Sequence, residues 1–266
     1  MISLPALMFI SYILLGAIAG FIGGLLGLGG GIVIVPALLF LFIQQGFHPE
    51  VQMHMALATS LATIIFTSIS SAWAHHRRGA VLWKTVNFLV PGIVIGCILG
   101  AWLADQLDTN VLRTAFGIFE LLVAMQVMFG FKPSPQRELP GVSGSGLAGT
   151  VLGSVSTILG IGGGTLSVPF LLWCNVNIRN AVATSSALGF PIAVAGTATF
   201  ILAGLDSTVL PDQSLGYVYL PAAGTIIVTS IVFAPLGARV AHGIPTVVLR
   251  KIFAFLLACI GIRMLL

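Results

Sequence analysis

Apolar runs of about twenty residues follow one another along this 266-residue chain, separated by connections of only a few polar residues. Coiled as an α-helix, a run of that length matches the hydrocarbon thickness of a bilayer. Charge is correspondingly scarce: Lys, Arg, Asp and Glu make up 7% of the residues, against about a quarter in an ordinary soluble domain. With 58% hydrophobic residues and a mean hydropathy of +1.11, the chain cannot cover a globular surface facing water. A soluble enzyme, a secreted disulfide scaffold and a nucleic-acid-binding domain are excluded. The fold class is an all-α polytopic membrane protein.

The runs predict ten segments, at roughly 4–27, 30–45, 51–74, 82–104, 111–131, 143–160, 164–176, 179–204, 216–240 and 246–265. The second, sixth and seventh are too short for a full span, which predicts partial crossings or half-helices. The N-terminus lacks the basic region of a signal peptide and reads as the first membrane segment. Cys97, Cys174 and Cys259 sit in or at the ends of apolar stretches without a CxxC pair, so they read as small core residues and no metal site is expected. The net charge of +4 comes from basic residues in the connections rather than on an amphipathic face, so no nucleic-acid partner is implied.

Internal repetition sharpens this picture. Gly27-Leu-Gly-Gly-Gly-Ile-Val-Ile-Val-Pro36 recurs as Gly160-Ile-Gly-Gly-Gly-Thr-Leu-Ser-Val-Pro169, and Ala58-Thr59-Ser60 as Ala183-Thr184-Ser185. Pro91 is echoed by Pro221, and Leu99-Gly-Ala with Val111-Leu-Arg113 by Leu236-Gly-Ala with Val248-Leu-Arg250. The chain therefore reads as one membrane repeat over 1–131, a cytoplasmic linker over 132–142 and a second repeat over 143–266.

An odd number of crossings per half, five, predicts that the halves are inverted. Charge tests this independently. The connection after the third segment holds His75-His-Arg-Arg78, whereas its counterpart, 204–212, carries Asp206 and Asp212 and no base. Asp105 and Asp108 stand opposite Arg239, Arg250 and Lys251 in the same way. Five crossings per half bring the connections carrying Arg77 and Arg78, Lys132 and Arg137, Arg179, and Arg239 and Arg250 to one side, which the positive-inside rule makes cytoplasmic.

Chemistry must then come from a short polar inventory at membrane depth. The glycine tips, Gly27 with Gly29, Gly30 and Gly31, and Gly160 with Gly162, Gly163 and Gly164, permit each half's first helices to break and turn back as Gly-rich broken or re-entrant hairpins. The following half-helices are expected to begin at Ile32 and Thr165, leaving free amides and a positive dipole end aimed at the tip. Two such ends facing one another form an anion site without charged side chains. The plainer alternative is that the glycines only allow close helix packing, the role expected of Gly92, Gly96 and Gly100. Thr59, Ser60, Thr184 and Ser185 supply hydroxyls for an oxyanion, with Thr165, Thr63, Thr67 and Ser167 secondary; the alternative is bonding within their own helices. Pro36 and Pro169 are candidates for gating. Arg179 could draw an anion from the cytoplasm or anchor topology. Glu120, the one acid near the middle of an apolar span, is a candidate proton-coupling group or a carboxyl bonding a neighbouring helix.

At these residues the sequence resembles the TauE/SafE family of sulfite exporters and related anion permeases. The resemblance rests on both copies of Gly-x-Gly-Gly-Gly-x4-Pro with the later Ala-Thr-Ser, and on the Leu-Gly-Ala segments; it covers essentially the whole chain. It implies secondary transport of a small sulfur-containing anion such as sulfite, sulfoacetate or thiosulfate, commonly outward. It assigns Gly27, Gly29–Gly31, Pro36, Thr59, Ser60 and their second-half matches, and gives Glu120 no role. The expectation is a bacterial inner-membrane exporter working by alternating access, with a channel for anions or small solutes as the alternative. The expected partners are that anion and membrane lipid, with a homo-oligomer left open. No catalytic motif or cofactor-binding motif is present, so neither catalysis nor a cofactor is expected.

Overall fold

The computed structural model describes residues 4–26, 30–129, 139–241 and 246–266. Its helices are α1 (Leu4–Leu26), α2 (Gly31–Gln44), α3 (Gln52–His76), α4 (Trp83–Asp105), α5 (Thr109–Phe129), α6 (Val142–Ile158), α7 (Gly164–Trp173), α8 (Ile178–Gly204), α9 (Leu220–Ala241) and α10 (Thr246–Leu265). Their bounds follow the apolar runs to within a few residues, because turn chemistry punctuates each one. Gly46 and Gly79 close connections in the left-handed region, at φ 73° and 62°. Asn177 caps α8, its side chain accepting from the Asn180 amide at 2.9 Å.

Among the described residues, four helices, α3, α4, α5 and α8, are long and apolar enough to cross a membrane. By contrast α2 has 14 residues and α7 only 10. At about 1.5 Å per residue they extend roughly 21 and 15 Å into a hydrocarbon layer about 30 Å thick. Each is therefore too short by itself to cross such a layer.

The central element is α3. Residues 52–64 are buried all round, which a helix tolerates only when neighbours cover every face. It packs against α8 and α2, and α4 packs against both α6 and α8. Small residues set the directions of these contacts. Gly92, Gly96 and Gly100 of α4 face Gly146, Thr150 and Ser154 of α6, so these helices run parallel. Gly16 and Gly20 of α1 face Ile226 and Ser230 of α9, also in parallel. Gly189 and Gly196 of α8 face Ser68 and Leu61 of α3, and Gly117 and Gly261 face Leu265 and Leu121, so α3 with α8 and α5 with α10 are antiparallel. The dense contacts along 92–100 are the packing role expected for those glycines.

One predicted boundary is corrected. The ninth segment was expected from 216, but α9 starts at Leu220. Before it, β1 (Ser214–Leu215) and β2 (Val218–Tyr219) pair antiparallel as a short hairpin. Gly216 turns that hairpin at φ 52°, a conformation a helix start cannot use, and a Cβ there would strike the Ile201 carbonyl. The linker at 132–142 falls largely outside the described residues.

Candidate functional site

The two Gly-rich turns meet in the middle of the molecule. A methyl on Gly31 would lie 3.1 Å from the Gly160 oxygen and 3.3 Å from the Ile161 Cα. Gly30 and Gly160 adopt φ of 76° and 61°, which an L side chain would strain. The half-helices start at Gly31 and Gly164, one residue earlier than expected. Among the described residues the amides of Gly162, Gly163 and Gly164 find no backbone acceptor, as the first turn of a helix requires. Gly27 and Gly29 lie outside the described residues.

The Ala-Thr-Ser triplets act across the two halves. Thr59 Oγ1 accepts from the Tyr219 amide at 3.0 Å, and Thr184 Oγ1 accepts from the Leu82 amide, also at 3.0 Å. Tyr219 and Leu82 each directly precede a helix, α9 and α4. Each threonine thus holds the last extended residue before a helix of the other half. Ser60 Oγ donates to the Gly160 oxygen at 2.8 Å, tying α3 to the second tip. These three hydroxyl residues and Ser185 are fully buried.

Ser185 differs from Ser60: its Oγ has no hydrogen-bond partner among the described residues. It lines a narrow cavity of about 30 Å³ beside the second tip. The walls are Gly162–Gly164, Thr67, Ser68 and Ser71 of α3, and Ser185, Ser186 and Gly189 of α8, with Ile64 beneath. A space of that size accommodates about two water molecules. The lining suits an anion: the start of α7 with its unpaired amides borders it and no carboxylate does. Of the five hydroxyls, those of Thr67, Ser68 and Ser186 donate to the Ile64, Ile65 and Val182 oxygens of their own helices, which leaves Ser71 and Ser185 as donors. The cavity extends along α3 to Ser71, toward the connection holding Arg77.

Sequence reasoning named Ser185, Thr67 and the three glycines but missed Ser68, Ser71 and Ser186. A signal was present: the hydroxyl-rich stretch Thr67-Ser-Ile-Ser-Ser71 has no counterpart at Ile192-Ala-Val-Ala-Gly196. The remaining candidates stand apart from the cavity. Thr165 and Ser167 are buried in α7, Ser167 Oγ without a partner among the described residues. Thr63 bonds within its own helix, to the Ser60 oxygen at 2.7 Å. Pro36 and Pro169 lie inside α2 and α7, where each removes one helical hydrogen bond. Arg179 is exposed and donates to the Arg78 oxygen at 3.4 Å, joining two basic connections. Glu120 is fully buried in α5, and among the described residues neither carboxyl oxygen has a partner.

The opposite end of the molecule is closed. Phe42, Phe47 and Tyr219 pack with ring centroids 5.0 to 5.8 Å apart, and Tyr12 joins them while its hydroxyl donates to Gln45 at 2.9 Å. Behind this cluster the Tyr217 hydroxyl donates to Asp105 at 2.9 Å. Burial, and next the Asp105 carboxylate, push the Tyr217 phenol upward, so it stays a donor. His54 bridges the Glu50 and Ala104 carbonyls, 3.0 Å from each ring nitrogen, and stacks on Tyr217. His54 is thus a clamp between the start of α3 and the end of α4.

Comparison with known proteins agrees with these features. The profile of the family described as Sulfite exporter TauE/SafE matches residues 12–264. A "probable membrane transporter protein" of Haemophilus influenzae is 36% identical over 256 residues, covering 96% of this chain and 97% of its own. The "probable membrane transporter protein YunE" of Bacillus subtilis is 32% identical, covering 74% of this chain and 79% of its own. A namesake from Methanocaldococcus jannaschii is 27% identical over 96% of this chain and 94% of its own. No solved structure matches the chain.

Proposed function

The chain belongs to the TauE/SafE family of membrane transporters, and from that premise we propose that it moves a small sulfur-containing oxyanion, of the sulfite or organosulfonate type, across the inner membrane by alternating access. The observation that carries this reading is the cavity at the second tip. An oxyanion loses hydration on entering the bilayer, and that cost must be offset by groups that do not trap it. Unpaired amides at the start of α7 and the hydroxyls of Ser71 and Ser185 support this reading, since dipoles neutralise less strongly than a Lys or Arg would. Ser68 and Ser186 donate to the Ile65 and Val182 oxygens of their own helices and would have to turn to reach an anion.

The direction of opening follows from the two ends. The cavity faces the end with Arg77, Arg78 and Arg179, which the positive-inside rule assigns to the cytoplasm; the aromatic cluster around Tyr219 shuts the other end. This is the arrangement of an exporter waiting for cargo from within. Expelling a monoanion gains about 2.3 kcal/mol per 100 mV of negative-inside potential. The alternation itself is attributed to inverted halves. Antiparallel α3 with α8 and antiparallel α5 with α10 support that reading, because equivalent helices of inverted repeats run in opposite directions. Ser60 and the facing Gly31 and Gly160 form the pivot between them.

The test uses Ser185→Ala in the purified chain. Its hydroxyl is buried without a partner, so removing it leaves the fold as stable as before or slightly more so. Half-saturating sulfite in proteoliposome flux should rise about tenfold or more, one lost hydrogen bond to a charged group. Unaltered flux in Ser185→Ala and in Ser68→Ala would remove the cavity from the transport path. Saturation with counterflow distinguishes a carrier from a pore.

A further inference from the structure

The connections after α3, α5, α7 and α9, with the helix ends beside them, carry nine of the eleven Lys and Arg residues. The two exceptions, Arg113 near the start of α5 and Arg263 in the last turn of α10, come together at the opposite end. Arg113 donates to the Arg263 carbonyl oxygen at 3.1 Å, and the Arg263 guanidinium lies over the Phe40 ring, 4.6 Å from its centroid. Among the described residues neither has a carboxylate within 4 Å, the ion pair found there being His48 with Glu50. Two neighbouring cations on the side that membrane proteins keep poor in positive charge need an anion.

Both Arg113 and Arg263 line an apolar groove of about 250 Å³. Val33, Pro36, Ala37 and Phe40 of α2 form one wall, Ile260 and Met264 of α10 the other. While α2 packs on α3 and α1, α10 packs on α5, and the groove is the space left between.

We propose that this groove seats a phospholipid of the outer leaflet, its phosphate held by Arg113 and Arg263 and an acyl chain laid along α2. Planar guanidiniums match phosphate oxygens in pairs, and their depth, about one turn inside the helix ends, is that of the headgroup layer. Water-soluble phosphate would satisfy the cations but not Phe40, 41% exposed on the same wall. The wall belongs to the helix that starts at the first glycine tip, so the lipid braces a moving part. This inference is independent of which anion the chain transports.

The experiment is native mass spectrometry of the detergent-solubilised full chain with added phosphatidylglycerol, beside a thermal-shift titration with phosphatidylglycerol or inorganic phosphate. The expected result is one tightly retained lipid, with Arg113→Gln plus Arg263→Gln weakening it about tenfold or more. The Lys double variant should weaken it less. Ala37→Phe fills the groove while leaving both cations, and should also expel the lipid; it decides the matter if the Gln variant fails to fold. Undiminished lipid retention in either variant overturns the proposal. A stabilising shift from inorganic phosphate equal to that from the lipid overturns it as well, in favour of a free-anion site.

Discussion

Two adjacent glycines of the second tip should respond oppositely to the same added methyl. On Gly163 a Cβ would sit 2.6 Å from the Ser185 oxygen and 3.1 Å from the Gly189 nitrogen, both backbone atoms of α8. The nearer contact is roughly 1 Å short of an optimal separation, and a helix backbone cannot retreat that far without carrying its neighbours. Overpacking of this kind costs about 1–3 kcal/mol. On Gly162 the methyl would meet only the Ile64 side chain, at 3.3 and 3.9 Å, which can rotate aside. Replacing that glycine also removes freedom from the unfolded chain, which by itself stabilises by about 0.4–1 kcal/mol. Cys97 and Cys174 are buried whereas Cys259 is exposed, so with Cys259 replaced by Ser a thiol-reactive dye reports unfolding in detergent. At about 2–4 °C per kcal/mol, Gly163→Ala should lower the midpoint by roughly 2–12 °C, and Gly162→Ala should leave it level or raised. Equal midpoints, or the reverse order, would refute the placement of the tip against α8.

The remaining predictions concern groups buried away from the cavity. Thr59→Val and Thr184→Val each leave one half-buried amide, of Tyr219 or Leu82, without its acceptor, and should cost about 1 kcal/mol in the same melting assay, while Thr→Ser at either position restores most of the loss. Failure of serine to rescue would show that volume rather than the hydrogen bond matters. Glu120→Gln keeps shape and removes the titratable proton; if Glu120 couples transport to protons, flux driven by an imposed pH gradient disappears while flux driven by the anion gradient persists. Equal loss of both would make Glu120 a structural carboxyl.

The helices were readable because each apolar run ends in residues that break or cap it, as at Gly46, Gly79 and Asn177. The short lengths of α2 and α7 were readable for the same reason. The repeat pointed to the tips and to Ser185, but repetition also led toward treating both halves alike. The cavity forms beside the second tip, where Ser68 and Ser71 have no hydroxyl counterparts at Ala193 and Gly196. Thr59 and Thr184 illustrate another limit. Their roles depend on amides 160 and 102 residues away, and nothing local announces such a partner. The hairpin before α9 was hidden because two residues per strand are too few to show an alternation.

That exchange of threonine bonds has a consequence for how the chain is made. Thr59 emerges from the ribosome 160 residues before Tyr219, an interval of roughly 8–30 s at ordinary rates of elongation. Over that interval the early helices reside in the lipid with a buried hydroxyl still awaiting its mate, and Leu82 likewise waits for Thr184. Neither half can reach its final shape alone, so separately expressed halves should mature only when both are present in the same bilayer.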